Sequence, residues 1–278
     1  MVGFLRDLAT GLGDLFFPRP QPCAICDRAA ARPKVGLCAD CLSRLPFLTP
    51  PLCERCGRLL RNEAANRRIC GECEREGLFF ARARAVCLYE GPARAYLHEV
   101  KFHRSLCLAR ALAGLLAVYA REERDLFRDY EVIVPVPLHS RREEERGFNQ
   151  AAVMAGAVGE ALRRSVLADV LLRTRQTEVQ SRLDRKARRE NVRGAFRVTL
   201  PSVLAGRRVL LVDDIMTTGY TASECARVML RAGALEIGLL TLANGSLDEE
   251  WLEGEKSSKQ PGRCSRFLNL EGPSYPCE

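Results

Sequence analysis

Aromatic residues make up only 6% of this 278-residue sequence, tryptophan occurs once and histidine three times. Scarce rings argue against an extended base-stacking platform. No apolar run approaches the ~18 uninterrupted residues that a bilayer-spanning helix needs, so no transmembrane segment is expected. Asp7 and Asp14 interrupt the one apolar stretch near the N-terminus, so no signal peptide is expected. A reducing, cytoplasmic setting follows as the expectation. What the chain does have is 47% apolar residues, enough for a packed core in one large domain or two smaller ones. That excludes disorder over most of its length.

Thirteen cysteines are many for such a setting. Eight fall in four Cys-x-x-Cys pairs: Cys23 and Cys26, Cys38 and Cys41, Cys53 and Cys56, Cys70 and Cys73. A Cys-x-x-Cys turn aims two sulfurs at one point, and two such turns complete a tetrahedron around Zn2+. Four thiolates with no open position indicate structural zinc, and so small a module would draw its folding energy from the metal. Consecutive pairs sharing one ion is the favoured arrangement, with interleaved pairs as the alternative. A redox reading fits poorly, because redox motifs use one pair on a thioredoxin-like unit. Cys87, Cys107 and Cys225 read as small core residues. Two four-thiolate sites would lower the formal charge of +8 to about +4, so overall basicity says little about nucleic acid.

The chain divides into four parts. Residues 1–20 carry Phe4, Leu5, Leu8, Leu12, Leu15 and Phe16 at helical spacing before Pro18 and Pro20, which predicts an amphipathic helix that docks on the protein. Residues 21–77 hold the cysteine module. Residues 78–244 alternate strand-like and helix-like runs, the pattern of an α/β domain with a mainly parallel sheet. Strands are expected over Val132–Val136, Asp169–Leu172, Arg208–Val212 and Ile237–Leu242, and helices over Leu106–Arg121, Phe148–Leu162 and Thr221–Ala232. Residues 245–278 turn polar and rich in Gly, Pro and Ser, which predicts a poorly ordered tail.

The most informative stretch begins with the apolar run Val209–Val212, continues through Asp213 and Asp214, and ends in Thr217-Thr218-Gly219-Tyr220-Thr221. A buried strand here delivers two carboxylates to its C-terminal end, where α/β folds bind ligands. The Thr/Gly turn then opens a helix whose first amides and hydroxyls suit a phosphate, with Gly219 admitting close backbone approach. The carboxylates suit sugar hydroxyls. This stretch resembles the phosphoribosyl-pyrophosphate (PRPP) signature of type I phosphoribosyltransferases. The resemblance implies that Asp213 and Asp214 contact the ribose hydroxyls, while Thr217, Thr218, Gly219 and Thr221 hold the 5′-phosphate.

Other segments extend the resemblance. Val134-Pro135-Val136-Pro137-Leu138-His139 leads to Arg146-Gly147-Phe148-Asn149-Gln150, then to Gln180-x-Arg182-Leu183 and Arg189-x-Asn191-Val192. Together with Tyr89-Glu90-Gly91, Lys101-Phe102 and the cysteine module, this order is similar to the ComF family of competence proteins. That family joins a double zinc ribbon to a type I phosphoribosyltransferase domain. The resemblance runs from about Phe16 to Ala243 and implies PRPP or another ribose phosphate as ligand, Mg2+ beside it, and a role in DNA uptake with single-stranded DNA and competence partners. By position, Pro137–His139 resembles a pyrophosphate loop. Arg141, Arg142 and Arg146 would neutralise the diphosphate, and Lys101 would contact phosphate. Residues 173–197, with nine basic and three acidic side chains, correspond to a covering loop in which Arg182, Arg185 and Arg189 close over substrate. The alternative function is an active transferase of nucleotide metabolism that moves ribose 5-phosphate to a nitrogen acceptor. Glutamine amidophosphoribosyltransferase is set aside, because zinc ligands occupy the front of the chain where that enzyme needs a glutaminase domain.

Overall fold

A computed structural model describes residues 22–28, 35–60, 68–175 and 185–245. The helix expected over residues 1–20, the tail beyond Gly245 and Arg182 lie outside the described residues. Among the described residues, no helix is long and apolar enough to cross a membrane.

Five parallel strands form the central sheet in the order β1-β7-β6-β2-β3. They are β1 (Arg82–Leu88), β2 (Val132–Pro135), β3 (Ser165–Val166), β6 (Arg208–Met216) and β7 (Glu236–Asn244). Parallel pairing requires long crossovers, and helices supply them. Between β1 and β2 run α3 (Gly91–Phe102), α4 (Leu106–Glu122) and α5 (Arg124–Phe127). Next come α6 (Ser140–Arg146) and α7 (Gln150–Leu162), and α9 (Tyr220–Arg231) joins β6 to β7. Two short helices, α1 (Ala39–Ser43) and α2 (Gly71–Arg75), belong to the cysteine module, and α8 (Arg185–Val192) precedes β5. The strands expected over Val132–Val136, Arg208–Val212 and Ile237–Leu242 are present in this sheet. The segment expected over Asp169–Leu172 becomes β4 (Leu171–Arg173), which instead pairs antiparallel with β5 (Phe196–Val198) as a separate ribbon.

Alternate side chains of a strand face opposite ways, and a parallel sheet must be covered on both sides. Leu210, Val212, Leu240 and Leu242 face a core shared with α4, α7 and the first cysteine cluster, including Leu37, Leu42 and Phe47. Val209, Leu211, Ile237 and Leu239 face a second core with α9, β4, β5 and the second cysteine cluster. Each half of the cysteine module thus belongs to a different face of the sheet. The α4 helix is long and apolar enough to lie buried along most of its length, and Ser105 caps it by accepting the Leu108 amide at 3.3 Å.

Gly238 in β7 marks a tight point of this packing. A Cβ there would lie 2.4 Å from Cζ of Tyr130, a buried ring whose hydroxyl donates to Glu236 at 3.2 Å. Gly238→Ala should therefore cost about 1–3 kcal/mol through overpacking, measured as a lowered urea midpoint. An unchanged midpoint would show that the Tyr130 ring yields freely.

Candidate functional site

The site is built at the end of β6, where burial meets charge. Val209, Leu210, Leu211 and Val212 are fully buried, and the strand then delivers Asp213, half-buried, and Asp214, 8% exposed. The Asp213 carboxylate accepts the Asp214 amide at 2.8 Å, and Asp214 takes Lys101 Nζ at 2.8 Å. Burial raises the Asp213 pKa to about 8, reinforced by the Asp214 charge; the Asp214 amide, Lys101 and Arg173 pull the other way. A carboxyl this reluctant to ionise is expected where a ligand or cation is still to arrive.

The loop that follows is held from three directions. Met216 accepts the Gly245 amide at 2.8 Å, and Gly219 adopts φ +82° as it caps α9. That conformation is what requires glycine here. Its α-carbon face packs on Phe80 and Met216, where a Cβ would make only ordinary contacts at 3.5–3.6 Å. Thr218 is buried, and Thr217 and Thr221 are half-buried. The first turn of a helix is where backbone amides and the dipole favour an anion, and this loop leads directly into α9.

Further cations gather around the acid pair. Pro137 is buried after β2, and the turn after it is fixed by Asn149, which donates to Val136 O at 3.1 Å and caps α7 through the Ala151 amide at 3.0 Å. Arg146 donates to Gln150 Oε1 at 2.7 Å; burial lowers its pKa while the Asp214 charge opposes the shift. Arg173, over the Phe196 ring at 5.4 Å, is likewise lowered by burial and the Arg142 charge, and it is close enough to feel Asp213. Sequence reasoning named Arg182, Arg185 and Arg189 in the basic segment and passed over Arg173. Arg173 closes β4 as one more basic residue of that segment, and nothing in its immediate sequence sets it apart. The structure brings Asp213, Asp214, Lys101, Arg146 and Arg173 into one electrostatic neighbourhood. Arg189 lies apart from it, 3.5 Å from Glu76.

The eight cysteines form two clusters, Cys23/Cys26/Cys38/Cys41 and Cys53/Cys56/Cys70/Cys73, with the sulfurs of each within 4.8 Å of one another. Consecutive pairs therefore share a site. Cys26 and Cys38 sulfurs lie 3.6 Å apart, as do Cys56 and Cys70. Tetrahedral zinc with bonds near 2.3 Å needs sulfurs about 3.8 Å apart, so the donor sets fit the ion.

The second cluster is joined to the phosphate loop. Arg58 is 8% exposed, pairs with Glu72 at 2.8 Å within the ribbon, and donates from Nη2 to the Thr217 carbonyl. Asn244 at the end of β7 donates to Cys56 O at 3.0 Å. Gly57 sits at φ +70° against the Ala83 carbonyl, where a Cβ would approach to 2.7 Å. Sequence reading missed Arg58 because nothing in its neighbourhood distinguishes a buried arginine from an exposed one.

Two consequences are measurable. Freshly reduced protein should carry two zinc ions per chain by elemental analysis; a value near zero would contradict the ligand assignment. Arg58→Met should cost on the order of 3 kcal/mol in chemical denaturation, because Glu72 and the Thr217 carbonyl lose a buried cation together. A loss below about 0.5 kcal/mol, the size of a surface change, would show the clamp to be incidental.

Comparison with known proteins agrees with this arrangement. The double zinc ribbon domain matches residues 12–87, and the phosphoribosyl transferase domain matches residues 144–261. DNA utilization protein YhgH of Escherichia coli is 33% identical over 221 residues, covering 78% of this chain and 94% of the relative. Competence protein F of Haemophilus influenzae is 30% identical over 213 residues, covering 76% and 91%. Competence protein ComFC of Bacillus subtilis is 27% identical over 219 residues, covering 76% and 85%. With both domains in this order and an alignment over nearly the full length of such relatives, the chain belongs to the ComF family, whose members join a double zinc ribbon to a phosphoribosyltransferase domain.

Proposed function

We propose that this protein binds PRPP, or a closely related ribose phosphate, with Mg2+ at the end of β6, and that it acts on DNA together with competence partners. The observation that carries the ligand reading is the succession of an acid pair at the end of a buried run, the Thr217–Thr221 turn and the start of α9. Hydroxyl-accepting carboxylates and phosphate-donating amides lie side by side there, as a sugar phosphate requires. Asp213 and Asp214 accept from the ribose hydroxyls. Thr217, Thr218, Gly219 and Thr221 cradle the 5′-phosphate, and the turn at Pro137 with Arg146 and Arg173 faces the diphosphate. Lys101, held on Asp214 in the free protein, is the cation nearest at hand to follow the diphosphate when ribose takes its place. Arg182 keeps its proposed part in the covering segment. Mg2+, bound mainly through diphosphate, ribose oxygens and water beside Asp213 and Asp214, supplies charge neutralisation of the leaving group.

The DNA part rests on the names of the relatives and on the basic excess of residues 173–197. A cytoplasmic location suits eight thiols kept reduced for metal. The second reading, transfer of ribose 5-phosphate to a nitrogen acceptor, is favoured by the paired cations that would stabilise departing diphosphate.

Calorimetric titration with PRPP and Mg2+ tests the ligand reading. Wild type should bind, and Asp213→Asn/Asp214→Asn should lose at least tenfold in affinity, about 1.4 kcal/mol. Equal affinity in the variant would refute the ribose assignment. Acidity gives a second test. Because the native pKa of Asp213 is raised to about 8, its proton stabilises the ligand-free fold fully below the ordinary carboxylate range. That contribution is lost as pH rises through about 8. Ribose needs the carboxylate, so wild-type affinity should climb with pH and level off above about 8. Asp213→Asn alone should flatten the profile, and a flat wild-type profile would contradict the assignment.

A further inference from the structure

A second concavity lies away from the acid pair. Residues 76–79, which leave the second ribbon, enclose with α8 and α9 a cavity of about 460 Å³. Neither Asp213, Asp214, Arg146 nor Lys101 lines it, and of the phosphate loop it meets Tyr220 alone. Its walls carry Arg189, Arg193, Arg227 and Arg231 against two acids, Glu76 and Glu224.

Those acids are already committed. Glu224, 8% exposed, takes Arg227 through Nε at 2.7 Å and Nη2 at 2.6 Å, and also accepts the Gly194 amide at 2.7 Å. The pair fixes the Arg227 guanidinium in orientation, which lowers the entropic cost of using it. Glu76 accepts Tyr220 OH at 3.2 Å and lies 3.5 Å from Arg189. Arg193 and Arg231 are exposed and meet no acid within ion-pair distance among the described residues. The cavity therefore holds an unbalanced positive charge. Beside it stands Phe79, 48% exposed, with its backbone fixed by the Ser223 hydroxyl, which accepts the Phe79 amide at 3.1 Å. An exposed ring on an anchored backbone, next to guanidiniums that meet no acid, matches the repeating unit of a single strand: a base to stack and a phosphodiester to neutralise.

We propose that this cavity, between the second zinc ribbon and the α8–α9 face, is where single-stranded DNA is held, with Phe79 stacking a base and Arg193 and Arg231 contacting phosphates. This rests on the reading that the protein acts on DNA, and it sets that ligand apart from the ribose-phosphate site. An acidic peptide would also seek the arginines but would have no need of the ring.

The test is fluorescence anisotropy on the full chain, using labelled oligothymidylate and an abasic strand of equal length over a series of salt concentrations. The substituted side chains are exposed, so the variants should fold, and PRPP affinity should be unchanged in Phe79→Ala. Arg193→Ala/Arg231→Ala should weaken oligothymidylate binding about tenfold and reduce the salt slope by about 1.4, roughly 0.7 for each lost phosphate contact. Phe79→Ala should cost at least about fivefold on oligothymidylate and little on the abasic strand. If wild type binds and all variants bind equally well, the strand lies elsewhere: this inference falls while the DNA reading stands. If wild type binds no oligonucleotide, both fall, and PRPP titration still decides the ribose-phosphate reading separately. Arginine-dependent binding that treats oligothymidylate and the abasic strand alike overturns the proposal, because a site that reads charge alone gives Phe79 no part.

Discussion

Two adjacent carboxylates, delivered by the buried run Val209–Val212 of β6, repel each other in a medium that solvates neither well. The rest of the site is arranged around that tension. Lys101 relieves Asp214 directly, the Asp214 amide partly relieves Asp213, and Arg146 and Arg173 stand near enough to be felt. Burial nevertheless wins at Asp213, whose pKa stays well above the usual range. Such an arrangement gains most from a ligand that brings hydroxyls and a cation to the acids. The Thr217–Thr221 turn adds donors for an anion immediately beside them. The proposed ribose-phosphate reading is the chemistry that satisfies both needs in one molecule.

The sheet explains why two ribbons are present. Its faces are separate cores, and one cysteine cluster joins each. The first is packing for the α4–α7 face. The second also reaches the working end of β6, through Arg58 to Thr217, Asn244 to Cys56 and Phe80 beneath Gly219. Metal that folds the second ribbon therefore also supports the loop proposed to hold phosphate. Residues 76–79, leaving the same ribbon, then form one wall of the basic cavity, so this ribbon adjoins both proposed ligands.

Much of this was legible in the residues. Spacing identified the cysteine clusters, because tetrahedral zinc leaves little freedom in how Cys-x-x-Cys turns are used. The Val209–Thr221 stretch identified the strand end and its loop, because four buried apolar residues, two acids and a Thr/Gly turn have few other uses in sequence. Legibility failed where partners are distant in the chain. β1 alternates arginines with small residues, and its strand character comes from pairing with β7 more than a hundred residues later. β4 reads as one more strand of the sheet and instead joins β5. Arg58, Arg173 and Phe79 carry no local mark: one is buried in a clamp, one feels the acid pair, and one stands exposed beside arginines of α8, α9 and the turn after α8. Only the fold assigns those environments.

The most direct test of the central claim is difference electron density from crystals of the reduced, zinc-loaded protein soaked with PRPP and Mg2+. The account predicts ribose hydroxyl density against Asp213 and Asp214, with the 5′-phosphate on the amides of residues 217–221 and Lys101 displaced from Asp214. Density for the sugar phosphate at any other place, with the Lys101–Asp214 pair intact, would contradict it.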